Sequence, residues 1–190
     1  PIGIHALPTC KRRALMFKRR QQKPGALKAA DETSQLYQVL ARANHIANTT
    51  ELDELLSQML DLIIQVCGPN TGTMYLLDHD AQELIFKVVQ GELGNQELIG
   101  QRIKVTEGVV GACIQETETI VVNNLSNDKR WYGHIHENKD ELCNTIAFPL
   151  LLRGGPIGAV QVFNFHQAPI QLIQLLGNRM ASEYEKTMLL

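Results

Sequence analysis

Four cysteines and a close pair of histidines are the side chains best suited to covalent or metal chemistry. Cys10, Cys67, Cys113 and Cys143 are scattered, with no Cys-x-x-Cys pair and no dense disulfide framework. That spacing predicts reduced thiols, buried as small apolar side chains, in a reducing and therefore cytoplasmic compartment. His134, His136 and Cys143 form a His-x-His-x6-Cys array. Imidazole and thiolate are competent ligands for zinc or haem iron. The spacing matches no established zinc pattern, and only three ligands stand close together. Two exposed loop histidines and one buried thiol explain the array more simply, so no metal is expected. There is no Gly-x-Ser-x-Gly elbow for a serine nucleophile and no Gly-x-x-x-x-Gly-Lys phosphate loop. Gly154-Gly155 reads as a turn. No catalytic pattern stands out, and the expectation is a protein that is not an enzyme.

Trp131, Tyr132, His134 and His136 fall inside a polar stretch from Asn123 to Glu141. A structureless connection of that length is uncommon unless it has a function. Amphipathic aromatics there either stack on a planar ligand or cap the core. Upstream, Gly108 and Gly111 open the segment ending at Glu116. Two small residues so placed let a short helix approach a sheet or a ligand closely. Downstream, strand alternation puts Thr145 and Ala147 on one face and Ile146 and Phe148 on the other. Sequence does not choose which face lines a site.

The elements that would position these residues follow from periodicity. Leu36, Val39, Leu40, Ala43, Ile46 and Ala47 mark one face of a helix from Ser34. After Asn48-Thr49-Thr50, with Thr50 and Asp53 resembling a capping box, Leu52 to Ile64 marks a second helix, ended by Gly68-Pro69. Residues 73–77 and 84–89 are β-rich runs around a loop at 78–82. Short strands are expected at 102–105 and 119–122, with a short helix at 108–116 between them. Residues 145–152 and 157–165 form the clearest hairpin, turning at Arg153-Gly154-Gly155-Pro156. A last helix starts near Pro169, with Ile170, Ile173, Leu176, Met180, Ala181 and Tyr184 on one face. Leu172, Leu175, Met188, Leu189 and Leu190 widen its apolar surface, which predicts a partner helix.

The 190 residues are 44% hydrophobic and 20% charged, ordinary globular composition with enough chain for one domain. No apolar run is long enough to span a bilayer, and no secretory signal pattern is visible. The chain begins with Pro1 rather than Met, as a segment of a longer protein would. Charge is uneven: residues 1–30 hold eight Lys or Arg and no acid, while the remainder carries ten basic and twenty acidic side chains. Residues 1–33 therefore read as a basic arm or linker, interrupted by Pro8, Pro24 and Gly25. The arm reads as a solvated linker, so contact with nucleic acid or an anionic membrane is not expected; single-strand binding in particular lacks its stacking aromatics, Phe17 standing alone.

Three stretches carry a family resemblance. Gly100-Gln-Arg-Ile-Lys-Val-Thr-Glu-Gly-Val-Val-Gly111, Thr119-Ile-Val-Val-Asn-Asn-Leu-Ser-Asn-Asp-Lys-Arg-Trp131 and Phe148-Pro-Leu-Leu-Leu-Arg-Gly-Gly-Pro-Ile-Gly-Ala-Val-Gln-Val-Phe-Asn164 resemble the corresponding stretches of GAF domains, the last being most diagnostic. The resemblance covers residues 34–190. It implies an α+β fold: a five- or six-stranded antiparallel sheet, PAS-like, with the terminal helices on one face. A short helix and long loop cover the other face. It also implies a sensory domain of a signalling or transcription-regulating protein, such as a two-component system. Such a domain binds an unidentified small molecule or cofactor, pairs as a homodimer through its first and last helices, and acts on an output domain. In the family the long loop folds over the sheet and the strand at 145–148 floors the pocket. The candidate ligand-binding residues are thus Gly108, Gly111, Asn123, Trp131, Tyr132, His134, Cys143, Thr145 and Ala147. Asn124 stands where the family often has Asp. Two alternatives stay open: a ligand-free dimerisation module, and an enzyme resembling the free methionine sulfoxide reductases, whose loop Gly133-His134-Ile135 loosely resembles. Neither Cys113 nor Cys143 stands where those enzymes, or bilin-attaching relatives, keep their cysteines.

Overall fold

The computed structural model describes residues 28–46, 51–68, 71–131 and 141–188, with side chains in the first helix described from Ser34 to Asn44. Its helices are α1 (Lys28–Ile46), α2 (Leu52–Cys67), α3 (Gly108–Glu116) and α4 (Ile170–Met188). Its strands are β1 (Thr71–Asp78), β2 (Glu83–Gly91), β3 (Arg102–Lys104), β4 (Ile120–Val122), β5 (Thr145–Leu152) and β6 (Gly155–Phe163).

Periodicity explains how the helices dock. On α2, Leu55, Leu56, Met59, Leu60, Ile63 and Ile64 recur at helical spacing and are all buried. Gly68 closes α2 in the left-handed region, φ 75°, its N–H donating to the Ile64 carbonyl at 2.9 Å. On α4, Ile173, Leu176, Met180 and Ala181 are buried as expected, whereas Leu175 and Met188 stand out in solvent.

The strands form one sheet in the order β3-β2-β1-β6-β5-β4, antiparallel throughout. Central β1 and β6 approach closely. A Cβ on Gly158 would sit 2.0 Å from the Tyr75 carbonyl oxygen. One face of the sheet carries Met74, Val88, Ile146, Phe148, Leu150, Val160 and Val162, which pack beneath α1, α2 and α4. The other carries Tyr75, Leu84, Phe86, Ala147, Ala159 and Phe163, which pack against α3 and its flanking connections. Two apolar layers on opposite sides of one sheet give the α+β architecture expected from the sequence.

Several expected boundaries move. The first helix begins at Lys28, so its first turns fall within the segment read as arm. The capping box at Thr50 is replaced by Glu51 at the N-cap, which makes no side-chain cap bond, and Thr50 itself lies outside the described residues. The closing hairpin turns on Arg153-Gly154 alone, because Leu152 pairs directly with Gly155, whose φ of 120° suits glycine. Its second strand stops at Phe163, since Asn164 takes φ 56° and leaves the extended region.

Candidate functional site

Alternation along the three central strands sends a set of polar side chains to the α3 face. Thr73 and Tyr75 on β1, Gln161 on β6 and Thr145 on β5 are each at most 3% exposed. Thr73 lies opposite Gln161, which lies opposite Ala147, so these residues form a cross-strand row. The Tyr75 hydroxyl donates to Gln161 Oε1 at 3.4 Å, a long and therefore weak contact. Thr73 also hydrogen-bonds Tyr75, while burial pushes the Tyr75 phenol well above its ordinary pKa. The Thr145 hydroxyl donates to the Val162 carbonyl at 2.9 Å and is satisfied within the sheet. Thr145 and Ala147 thus belong to the α3 face, and Ile146 and Phe148 lie under the helices.

Helix α3 closes over this row. Gly108 starts it at φ 76°. Gly111 presses on the preceding turn: a Cβ there would stand 2.5 Å from the Val105 carbonyl oxygen. Val109, Val110, Cys113 and Ile114 fill the space between helix and sheet. Burial raises the Cys113 thiol to about 12, and the nearby Glu116 carboxylate adds to the rise. Cys113 therefore stays a neutral thiol near pH 7 and is not a poised nucleophile.

The connection after β4 opens with a 3-10 turn at Leu125–Asn127, whose first residue is fully buried. Asp128 and Arg130 form an ion pair at 2.8 Å that holds the next turn. Trp131 then packs edge-on against Phe163, ring centres 5.9 Å apart. The returning chain is pinned by Asn164. Its side-chain oxygen accepts from the Cys143 N–H at 2.8 Å, and its amide donates to the Glu141 carbonyl at 3.0 Å. Leu125 N–H reaches the Cys143 carbonyl at 2.9 Å, so both ends of the loop meet at this clamp.

The structure brings Gly108, Gly111, Trp131, Thr145 and Ala147 to one side of the sheet. Cys143 is half-buried where the loop returns. Asn123 is exposed, just beyond the edge strand β4. Asn124, also exposed, accepts from the Ser126 hydroxyl at 2.7 Å. Tyr132 and His134 lie outside the described residues, as does His136, so the His-x-His-x6-Cys array is described only at Cys143. Among the described residues no three His, Cys, Asp or Glu side chains gather as a metal site. Sequence reading missed Thr73, Tyr75, Gln161 and Asn164. The signal was present in Gln161 and Thr73, polar residues set among apolar neighbours in central strands.

The GAF family profile matches residues 49–182, and the chain belongs to the GAF domain family. These are signalling and ligand-binding domains seen in sensor proteins. The chain is similar to the GAF domain of a Coxiella burnetii phosphoenolpyruvate-protein phosphotransferase: 15% identity, 85% of this chain and 97% of that one covered, TM-score 0.72. It is similar to the corresponding Acinetobacter domain at 18% identity, covering 83% and 94%, with TM-score 0.68. A free methionine-R-sulfoxide reductase from Neisseria meningitidis, solved with its substrate, is similar at 20% identity, covering 87% and 95%, with TM-score 0.68. At these identities the likeness is one of fold. No curated protein matches the chain in sequence. Among the described residues no helix is long and apolar enough to cross a membrane.

Proposed function

We propose that this chain is a sensory GAF domain that holds a small ligand between the α3 face of the sheet and the loop after β4, and passes its state on through the terminal helices. The observation carrying this reading is the buried polar row of Thr73, Tyr75 and Gln161, in which the Tyr75 hydroxyl meets both Thr73 and, at 3.4 Å, Gln161. A core built for stability alone has little reason to bury an amide and a phenol among apolar neighbours. Trp131 and α3 supply the apolar cover. The ligand acts by shifting a population: it favours one arrangement of loop and helices to the extent that it binds that arrangement more tightly. The reading places the domain in the cytoplasm, as a homodimer upstream of an output domain, with no catalytic role.

The test is native mass spectrometry of the full chain purified from cells, followed by thermal-shift titration with cyclic nucleotides and other planar metabolites. A bound species that raises the melting temperature, and loses affinity in Gln161→Leu and Tyr75→Phe, supports the proposal. An empty protein that no compound stabilises counts against it. A second reading, a ligand-free dimerisation module, is favoured by the exposed Leu36, Tyr37, Leu175 and Met188 on α1 and α4. The reductase reading fares worse, because the desolvated Cys113 thiol is a poor nucleophile.

A further inference from the structure

Helices α3 and α4 lie on opposite faces of the sheet, yet they are joined around its open edge. The edge strand there is β4, only three residues long, and it follows α3 almost at once. The end of α3 is firmly set. Thr117 takes φ 56°, and its N–H and its hydroxyl both donate to the Ile114 carbonyl at 3.3 Å. Two residues on, the Thr119 hydroxyl oxygen accepts from Gln174 Nε2 of α4 at 3.0 Å. The start of α3 is built differently. Gly108 takes φ 76° there, a region in which glycine moves with little steric hindrance. The helix over the polar row thus has a pliable start and a capped end that reaches round to the other face. On α4, Gly177 follows Gln174 by three residues, about 4.5 Å along the axis. A Cβ on Gly177 would stand 2.8 Å from the Phe148 ring, so the helix backbone is seated directly on β5. A pull at Gln174 therefore acts beside the seat of α4.

We propose that the Thr119–Gln174 hydrogen bond is a coupling contact. It carries a displacement of α3 around the β4 edge to α4, and α4 answers by tilting about its seat on Phe148. Its use in sensing rests on the ligand reading above, because a ligand lodged under α3 is what displaces that helix. The link itself does not depend on which ligand that is. Its strength is bounded. A neutral hydrogen bond shifts an equilibrium by about two- to tenfold net, and the response of α4 through this contact stays within that range.

NMR of the full chain, with amide shifts and hydrogen exchange read along α4, tests this with no ligand present. Two substitutions displace α3 in different ways. Gly111→Ala forces a methyl onto the Val105 carbonyl, and Cys113→Ala removes a buried sulfur so that the helix settles. Each should shift the amides of residues 173–177 and change their exchange about threefold. In a Thr119→Val background the response should fall to that of residues 60–64 in α2, and Thr119→Ser should restore it. Cys113→Ala carries the test should Gly111→Ala not fold. An α4 silent to the α3 substitutions overturns the proposal. So does a response of equal size with and without the Thr119 hydroxyl, which would route it through β5 instead. A pocket that proves empty sinks the preceding reading and leaves this outcome unaffected.

Discussion

At the scale of single residues, the site depends on contacts that admit no extra atom. Gly111→Ala would drive a methyl onto the Val105 carbonyl, which is backbone and cannot turn aside. The expected cost is about 1–3 kcal/mol, read as a lower urea midpoint at unchanged slope. The thiols make a second case. Burial raises Cys67 and Cys113 from 9.0 to about 12. In the unfolded chain both ionise first as pH climbs, so the folded state holds more protons in that window. Their contribution to stability is full below pH 9 and is lost progressively from there towards about 12. Urea midpoints measured from pH 8 upward should fall, and less steeply in Cys113→Ala. An equal slope in the parent and in Cys113→Ala would show that this thiol is not desolvated.

Among the elements, the junction of β6 with the loop's return is the most informative. Asn164 does two things there: it adopts φ 56°, and its side chain holds Glu141 and Cys143. Two substitutions separate these roles. Asn164→Gly keeps the backbone conformation and loses the side-chain bonds, whereas Asn164→Ala loses both. Hydrogen exchange at the Cys143 amide should speed up in both variants. Global stability should fall further in Asn164→Ala, by roughly 1 kcal/mol beyond the glycine variant. If exchange at Cys143 is unchanged in both, the clamp does not hold the loop. The same junction explains an error of sequence reading. Apolar alternation ran the last strand on to residue 165, but a left-handed asparagine ends it two residues sooner.

For the molecule as a whole, the unresolved pull is between helix surfaces and solvent. Tyr37 and Met188 are each more than 60% exposed and Leu175 is 51% exposed, on the first and last helices. Sequence periodicity assigned Leu175 and Met188 to a surface for a partner helix, and within one chain they stand exposed. A homodimer through α1 and α4 would cover them. Sedimentation of the full chain should then show a dimer at micromolar concentration that Leu175→Glu converts to monomer without loss of helical circular dichroism. A parent that sediments as a monomer removes this assembly from the proposal.

Much of the architecture was legible in the chain itself. The limits of α3 coincide with Gly108 and Glu116 because a glycine pair and an apolar run leave little choice. The 3.6-residue spacing in α2 and the apolar pairing of β5 with β6 left no other good way to bury those side chains. What the sequence could not decide was sidedness. Period-two alternation separates Thr145 and Ala147 from Ile146 and Phe148, but both sets are apolar enough to be buried, and both faces of this sheet are covered. Only packing against α3 on one side and against α2 and α4 on the other assigns each set. The row of Thr73, Tyr75 and Gln161 has the same origin. Its members lie on strands far apart in sequence, and only the register of the folded sheet sets them opposite one another.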